Sequence, residues 1–543
     1  MFSEPAVGEK FFGRDEVLEL LNKRVSALKD GYRQNIALTG PSLAGKSSII
    51  LHFLHVVREE GFIPIYVEVV REPFSSFANK FIATMLYNSL AKTGVEISVD
   101  LDRLLAKAQE FLPKTSQAIR QVNSLIEDAE LDEAYSALLA LTSVLKEELG
   151  MPSIVILDEF DNLEHLGIKN PFMNFGKVIM VQKDTMYVVS SSRNAAIKKI
   201  ISEKLSLLFG NFEVVKVSNF GFKVAGEFIN TKLGGFEIED FTRRFLIAFT
   251  DGNPFYLNKI ICCAREMASE RMTSFIDKAI MAEAILELVY NSNGTIHQYL
   301  LTYILDLLDT KSRDFFIAVL TAIAGGQNRQ QEIARTIKGR QGEVSKALLR
   351  LVELGLVSKN GVFYRIDDML LEFWLKSVYQ RRKALLVDGT LDKMDLFRQD
   401  IGLYMEGFEK EFNMSVASRI AELFGLFSDE LIQLDAKQIR LPHFTKVEVR
   451  LCADSKPYIA ASFRGNFWIV QPYEYSISEN EIIDYIRNIK SLSCKISNRI
   501  IIPLKGMDEN SKLLAKELKI SIWDGQAVNT FLKLYGKKRI VIP

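Results

Sequence analysis

The sequence predicts an α/β protein whose first half is a doubly wound parallel sheet. Three observations carry that expectation. The short apolar run 35–39 gives way to a glycine loop and then to a helical run from Ser48. The continuous apolar run 152–157 ends abruptly in acids, as a strand buried on both faces does. Further apolar runs of strand length, 62–69, 185–192 and 212–217, alternate with helical periodicity. That alternation is how β–α units stack into a parallel sheet with its ligand at the strand C-termini.

The first element is the loop itself, Gly40-Pro41-Ser42-Leu43-Ala44-Gly45-Lys46-Ser47, followed by Ser48. Strand, glycine loop and helix form the context that a phosphate-binding loop requires. Glycines let backbone N–H groups converge on phosphate oxygens, and the helix start adds partial positive charge. Lys46 is placed to reach the β- and γ-phosphates, and the Ser47 hydroxyl to hold Mg²⁺. A guanine-reading Asn-Lys-x-Asp motif is absent from the sequence, which favours ATP.

The second element ends in Asp158-Glu159-Phe160-Asp161-Asn162. A carboxylate at a strand tip, Asp158, suits the Mg²⁺ shell, and the next one, Glu159, suits polarisation of an attacking water. Ser191, Ser192 and Arg193 close the neighbouring strand and are candidate γ-phosphate sensors; a plain strand-to-helix turn explains each equally well. Residues 74–150, between the second strand and Asp158, read as an inserted set of helices.

Phe11-Phe12-Gly13-Arg14 before the loop resembles the FxGR element of the archaeal-type AAA+ ATPases, close to the STAND class of signalling ATPases. Gly252-Asn253-Pro254 resembles their GxP motif in a helical lid. The resemblance covers about residues 8–380. It implies that Arg14 and Pro254 flank adenine and ribose. It also implies a P-loop NTPase core over 1–225, a helical lid over 226–305, a winged helix over 306–385 and a further domain over 386–543. Family members usually carry an arginine after a Leu-Tyr/Phe-Gly triplet before the fifth strand. Here the run is Leu207-Leu208-Phe209-Gly210-Asn211. Asn211 lacks a guanidinium to neutralise transition-state charge, which implies turnover on the order of 10³-fold or more below a finger-assisted rate. Arg193, Arg243 and Arg244 are the substitutes in view, each more simply a surface charge.

Residues 311–365 read as helix, helix, helix and hairpin, with an Asn360-Gly361 turn. That order suits a winged helix-turn-helix. The segment holds ten Lys/Arg against four acids, a local excess of six positive charges. Lys346 and Arg350 share the polar side of the third helix, Arg340 precedes it and Lys359 sits by the turn. These four are candidate duplex-DNA contacts, a helix in the major groove with a wing on phosphate. Intramolecular packing is the competing use. Residues 367–374 read as a packed helix that closes this domain.

From about 386, a helical stretch running to about Phe424 precedes strand runs at 446–451, 458–463 and 466–471, then alternating helices and strands. This is similar to the restriction-endonuclease-like domains that accompany many archaeal-type ATPases. Active members assemble Mg²⁺ with an Asp on the second strand and Glu-x-Lys on the third. Here Gln471 and Tyr473 stand at the Glu and Lys positions, and Ala460 and Ala461 where Asp would be. Glu448, Asp454 and Glu474 do not restore the spacing, so the domain is expected to lack nuclease activity.

The chain has 543 residues, enough for three or four domains. Its 68 basic and 68 acidic residues balance, so any nucleic-acid face is local. No apolar run of about 18 residues is present, and Met1 to Lys10 has no signal-peptide pattern. No membrane partner and a cytoplasmic location are therefore expected. Cys262, Cys263, Cys452 and Cys494 read as reduced thiols, and His52 and His55 as packing or surface residues. Three functional readings follow. The first is a slow ATP-hydrolysing switch with ATP and Mg²⁺ as cofactors, repositioning the winged-helix and C-terminal domains, with a protein partner or self-association in view. The second is an initiator-like ATPase binding duplex DNA through the winged helix, since 158–163 is similar to the DE-x-D-x-L of origin-recognition proteins. The third is a scaffold that holds nucleotide structurally.

Overall fold

The computed structural model describes residues 4–57, 61–95, 97–205, 211–308, 310–380, 393–434, 437–452, 455–492 and 494–540. Leu207–Gly210 of the expected finger triplet, and Asp454, lie outside them. The chain divides into two compact units, Met1–Asn219 with Glu353–Gly355, and Phe220–Val352 with Leu356–Pro543.

The first unit opens with helix α1 (Asp15–Lys29), strand β1 (Asn35–Thr39) and helix α2 (Lys46–Val56). Strand β2 (Ile63–Glu68) follows, then four helices, α3 (Phe74–Ala91), α4 (Leu101–Phe111), α5 (Pro113–Glu127) and α6 (Leu131–Leu149). The insertion expected at 74–150 is thus helical throughout its described elements. Strand β3 (Ser153–Asp158), helix α7 (Pro171–Val181), β4 (Thr185–Ser191), α8 (Asn194–Lys199) and β5 (Phe212–Lys216) complete the unit.

The five strands are all parallel, in the order β2-β3-β4-β1-β5. Period-two alternation sorts them between two helical layers. Ile36, Leu38, Ile154, Ile156 and Val188 face α1 and α2, where Leu21, Val25, Ile49 and Phe53 meet them. Ala37, Val155, Leu157 and Val189 face the other layer, packed by Phe77, Phe81, Tyr135, Leu138, Phe172 and Phe175. Strands β1, β3 and β4, buried on both faces, carry apolar or aromatic side chains at their interior positions and polar ones at their ends. The chemistry therefore collects at the strand ends, where Thr39 pairs in register with Ser191 and Glu68 with Asp158.

The second unit begins with α9 (Phe222–Leu233), β6 (Glu237–Ile238), α10 (Asp240–Thr250), α11 (Pro254–Glu270), β7 (Phe275–Ile276), α12 (Lys278–Ile285) and α13 (Thr295–Leu307). The short parallel pair β6–β7 is an addition to the helical reading. Three helices follow, α14 (Arg313–Ala324), α15 (Gln330–Thr336) and α16 (Gln341–Glu353), then the antiparallel hairpin β8 (Val357–Asn360) and β9 (Phe363–Ile366). Helix α17 (Met369–Trp374) is capped by Asp368 and buries Trp374.

The expected helix up to Phe424 is two helices, Lys393–Asn413 and Val416–Gly425. Ser415 caps the second by accepting from the Ser418 N–H at 3.2 Å, a local bond that competes with helix continuation. The hairpin β10 (Glu430–Leu434) and β11 (Lys437–Leu441) is a further correction, since the sequence reading begins its strands at 446. A five-stranded sheet follows: β12 (Lys446–Leu451), β13 (Pro457–Phe463), β14 (Asn466–Tyr473), β15 (Ile496–Pro503) and β16 (Ser521–Ile522). The first three strands are antiparallel, and β14 to β16 run parallel. Helix Glu479–Lys490 makes the crossover to β15.

Candidate functional site

The glycine loop leaves β1 and enters α2 through two left-handed residues, Leu43 (φ 60°) and Gly45 (φ 95°). Gly40 is fixed for a different reason: a Cβ there would stand 2.0 Å from the Val217 carbonyl oxygen, so only hydrogen fits beside the end of β5. Ser48 accepts from the Ala6 N–H at 3.0 Å. Arg14 reaches the loop from the start of α1, donating to the carbonyls of Ala44 at 3.0 Å and Ser218 at 2.6 Å. Burial pulls its guanidinium down to about 10. Arg14 thus ties the loop to the segment after β5. Pro254, the other residue expected near adenine, lies in the second unit as the first residue of α11. There Asn253 caps the helix by accepting from the N–H groups of Phe255 and Tyr256.

Lys46 is only 4 % exposed at the start of α2. Its Nζ donates to the carbonyls of Gly40 at 3.1 Å and Pro41 at 2.9 Å, and to Ser192 Oγ at 3.1 Å. Ser192 then donates twice to Glu159, from Oγ to Oε1 at 2.5 Å and from its N–H to Oε2 at 3.1 Å. A continuous chain of hydrogen bonds therefore runs Lys46–Ser192–Glu159. Burial pushes Lys46 down, opposed by Glu159, Asp158 and Asp161. Burial pushes Glu159 up, opposed chiefly by Lys46. Glu159 itself sits in the left-handed region (φ 53°), an uncommon conformation for a non-glycine residue.

Asp158, buried at the end of β3, accepts from Tyr66 at 3.1 Å, from Ser190, and from the Glu159 N–H at 3.1 Å. Ser190 opens the strand-end run 190–194 in which a hydroxyl or amide is expected to sense the γ-phosphate, whereas the sequence places Tyr66 on a strand without a role. The only signal for Tyr66 is position: it falls near the C-terminal end of a strand beside β3. Ser191 turns away from this group and donates to Asp161 at 2.7 Å. Arg193 forms an ion pair with Asp161 and donates to Asn162 Oδ1 at 3.2 Å. Reading Arg193 as a surface charge is therefore corrected: its side chain is 18 % exposed, held by a nearly buried carboxylate. Of the three candidate sensors, only Ser192 touches both Lys46 and Glu159.

Among the other arginines, Arg244 pairs with Asp240 and lies over the Phe412 ring. Arg243 lines a cavity of about 400 Å³ with Phe236, Glu237 and Phe275. Asn211 is exposed, and its backbone carbonyl accepts from the Asn35 N–H at 3.0 Å.

The donor set fits the expected groups. Ser47 and Asp158 offer the hard oxygen atoms that Mg²⁺ takes. Lys46 and the first turn of α2 offer the cation and N–H groups that phosphate takes.

The candidate DNA contacts divide. Arg340, Lys346 and Arg350 are exposed at or on α16, with Leu349 between them. Lys359 lies over the Tyr364 ring. Lys359 is itself exposed, and the hairpin tip beside it packs against another strand. Asn360 exchanges two hydrogen bonds with Gln433 of β10, at 2.8 and 2.7 Å, and a Cβ on Gly361 would stand 2.1 Å from the Leu431 carbonyl oxygen. The strand that covers the tip belongs to the hairpin that the sequence reading lacks.

In the C-terminal sheet, Gln471 and Tyr473 are buried on one face with Ile469, Ile482 and Tyr485 nearby. Tyr473 donates to the Glu481 carbonyl at 3.3 Å, and Gln471 Oε1 has no hydrogen-bond partner among the described residues. Glu448 is occupied by Lys446 and Arg450 at 2.5 and 2.6 Å, and Glu474 is exposed.

Residues 10–168 match the AAA ATPase domain family. No curated protein matches the chain. Among solved structures, a Walker-type ATPase of Pyrococcus abyssi is similar, at 18% identity over 69% of this chain and 99% of that one, with a TM-score of 0.49. The Aeropyrum pernix ORC2 protein in its ADPNP–ADP complexes is 14% identical over 70% and 98%, with a TM-score of 0.43. The Thermotoga maritima RuvB Holliday junction branch migration motor is 14% identical over 69% and 99%, with a TM-score of 0.34.

Proposed function

We propose that the chain is an ATP-binding, slowly hydrolysing switch of the AAA+/STAND kind. The observation that carries this reading is the Lys46–Ser192–Glu159 chain of hydrogen bonds. It joins the residue suited to grip a γ-phosphate to the residue suited to activate water. Lys46 binds β- and γ-phosphate oxygens. Ser47 and Asp158 would hold Mg²⁺, which would supply positive charge to offset that of the phosphates. Glu159, with its proton affinity raised by burial, takes a proton from the attacking water. Ser192, placed between them, orients Glu159 according to what Lys46 holds. Asn211 in place of the family arginine supports a slow rate. Slow turnover suits a switch, whose two states must differ in their affinity for ATP and ADP.

The output in this reading is the winged-helix and C-terminal part. The Asn360–Gln433 bonds support movement of the hairpin and the C-terminal part as one body. The C-terminal domain acts as a nuclease-like fold without cleavage activity, supported by Gln471 and Tyr473 at the positions of Glu and Lys.

A second reading rests on the exposed basic side of α16. Arg340, Lys346 and Arg350 there offer a duplex-DNA contact that does not need the covered hairpin tip. One experiment separates the readings. Nucleotide turnover is measured with and without duplex DNA for wild type, Lys46→Ala and Glu159→Gln, with and without EDTA. The switch reading expects slow, DNA-indifferent, Mg²⁺-dependent turnover that both variants lose. Turnover stimulated by DNA supports the second reading. No turnover in wild type, with ATP still raising Tm, leaves a nucleotide-holding scaffold and overturns both.

A further inference from the structure

Strand β12 is an edge strand. It pairs with β13 on one side, and among the described residues no strand pairs with the other. An open edge is a template for another strand, and folds usually block it. The register shows which groups are open. The Cys452 N–H donates to the Lys456 carbonyl at 2.9 Å, which makes 452 and 456 a hydrogen-bonded pair. Antiparallel pairs alternate between bonded and non-bonded. Glu448 and Arg450 therefore turn their backbone groups toward β13, and Val447, Val449 and Leu451 turn theirs to the open edge.

The side chains divide the same way. Val447 packs with the core beneath helix Val416–Gly425. Val449 and Leu451 share its face and are 41 % and 68 % exposed. Beside them lies a cavity of about 480 Å³ with a mixed lining, which includes Ala421, Glu422 and Gly425 of that helix and Phe444, Lys446 and Val449. Lys446, Glu448 and Arg450 occupy the opposite face.

We propose that β12 is a self-association surface, on which the β12 of a second copy of this chain pairs antiparallel about a two-fold axis at Val449. A two-fold axis perpendicular to the sheet keeps each face on its own side. Centred on Val449, it sets Val449 against the partner's Val449 and Val447 against the partner's Leu451. All of these are residues whose backbone groups point outward, so they supply the bonded pairs. On the other face the same register sets Glu448 against the partner's Arg450, and Arg450 against the partner's Glu448. Moving the axis by one residue puts Glu448 opposite Glu448, so charge selects the register. Opposite charges directly across a pair are favourable and like charges are not. Leu451 of one copy fills the cavity beside Val447 of the other, and the two sheets become continuous.

The test is the oligomeric state of the full chain by sedimentation equilibrium across a concentration series. Wild type is expected to dimerise. Glu448→Arg sets arginines against Arg450, and Arg450→Glu sets glutamates against Glu448. Each alone is expected to weaken the dimer about tenfold or more. The double variant E448R/R450E is expected to restore it, and an equimolar mixture of the two single variants to form heterodimers. Val449→Pro removes an outward N–H at a position where an edge strand tolerates proline, and is expected to leave a folded monomer whose Tm does not depend on protein concentration. A monomeric wild type overturns the proposal. So does a dimer indifferent to the single charge changes, or one that survives Val449→Pro.

Discussion

Ser192 directs both of its donors at Glu159, through its hydroxyl at 2.5 Å and its backbone N–H at 3.1 Å. The same hydroxyl accepts from Lys46, so a change at the lysine reaches the glutamate through one oxygen. Ser192→Ala breaks both side-chain bonds and keeps the backbone one. Turnover is expected to fall about 10- to 100-fold, within the range a mispositioned general base produces. Nucleotide affinity is expected to change little, because Lys46 keeps the loop carbonyls. Ser192→Thr retains the hydroxyl and is expected to recover most of the rate. Equal turnover in Ser192→Ala and wild type would remove Ser192 from the mechanism.

Gly40 is a packing constraint before it is a phosphate ligand. With a Cβ at 2.0 Å from the Val217 carbonyl, Gly40→Ala has to push apart the loop and the segment after β5. The expected cost is about 1–3 kcal/mol, as for other overpacked sites. Triphosphate binding weakens with it, because the loop's N–H groups move. Gly226→Ala is the control: it lies inside α9, with nothing within 4 Å of the new methyl. That substitution is expected to stabilise by about 0.5–1 kcal/mol. Thermal melts of the two variants against wild type check both signs.

Arg193 and Asp161 stand or fall together. Arg193→Ala leaves the nearly buried Asp161 without its ion-pair partner, with Ser191 giving it a neutral hydrogen bond, and the expected loss is about 3–5 kcal/mol. Adding Asp161→Asn removes the stranded charge and is expected to recover most of the loss. Turnover should recover in parallel. Recovered stability with turnover still lost would mean that Arg193 serves catalysis directly, as an arginine finger does.

The core was legible because burial on both faces writes itself into sequence as uninterrupted apolar runs. Residues 35–39 and 153–158 are strands where those runs stop. Ser192 was readable only as one of three neighbouring candidates, because which strand-end side chain turns toward Glu159 depends on local twist. Tyr66 was not readable at all. Its link to Asp158 is a pairing between strands far apart in the chain. The hairpin β10–β11 was missed for a different reason. Glu430–Leu434 breaks the usual alternation, burying Glu430 with Ile432 while Leu431 is exposed, and its most informative partner, Gly361, is 70 residues earlier. The break at Ser415 carries a recognisable cap, but apolar residues on both sides hid it inside a longer helical reading.

Lys538 supplies a pH dependence that is independent of the nucleotide site. Its Nζ donates to the Tyr404 carbonyl at 2.9 Å and lies 4.4 Å from the Tyr404 ring centre and 5.6 Å from that of Phe408. Burial pulls it from the ordinary lysine value of 10.5 down to about 8, with Glu411 opposing and Arg419 assisting. A folded-state value below the unfolded one means that the unfolded chain holds this proton more tightly. Between about pH 8 and 10.5 the unfolded state therefore binds more protons, and stability from this group rises with pH. Below pH 8 the burden is present in full. Lys538→Met removes the titrating group and keeps an apolar stem against the two rings. The Tm of wild type relative to Lys538→Met is expected to climb as pH goes from 8 to 10, and to be flat from 6 to 7.5. A difference that does not change across the upper window would show that Lys538 titrates in the folded protein as it does in water.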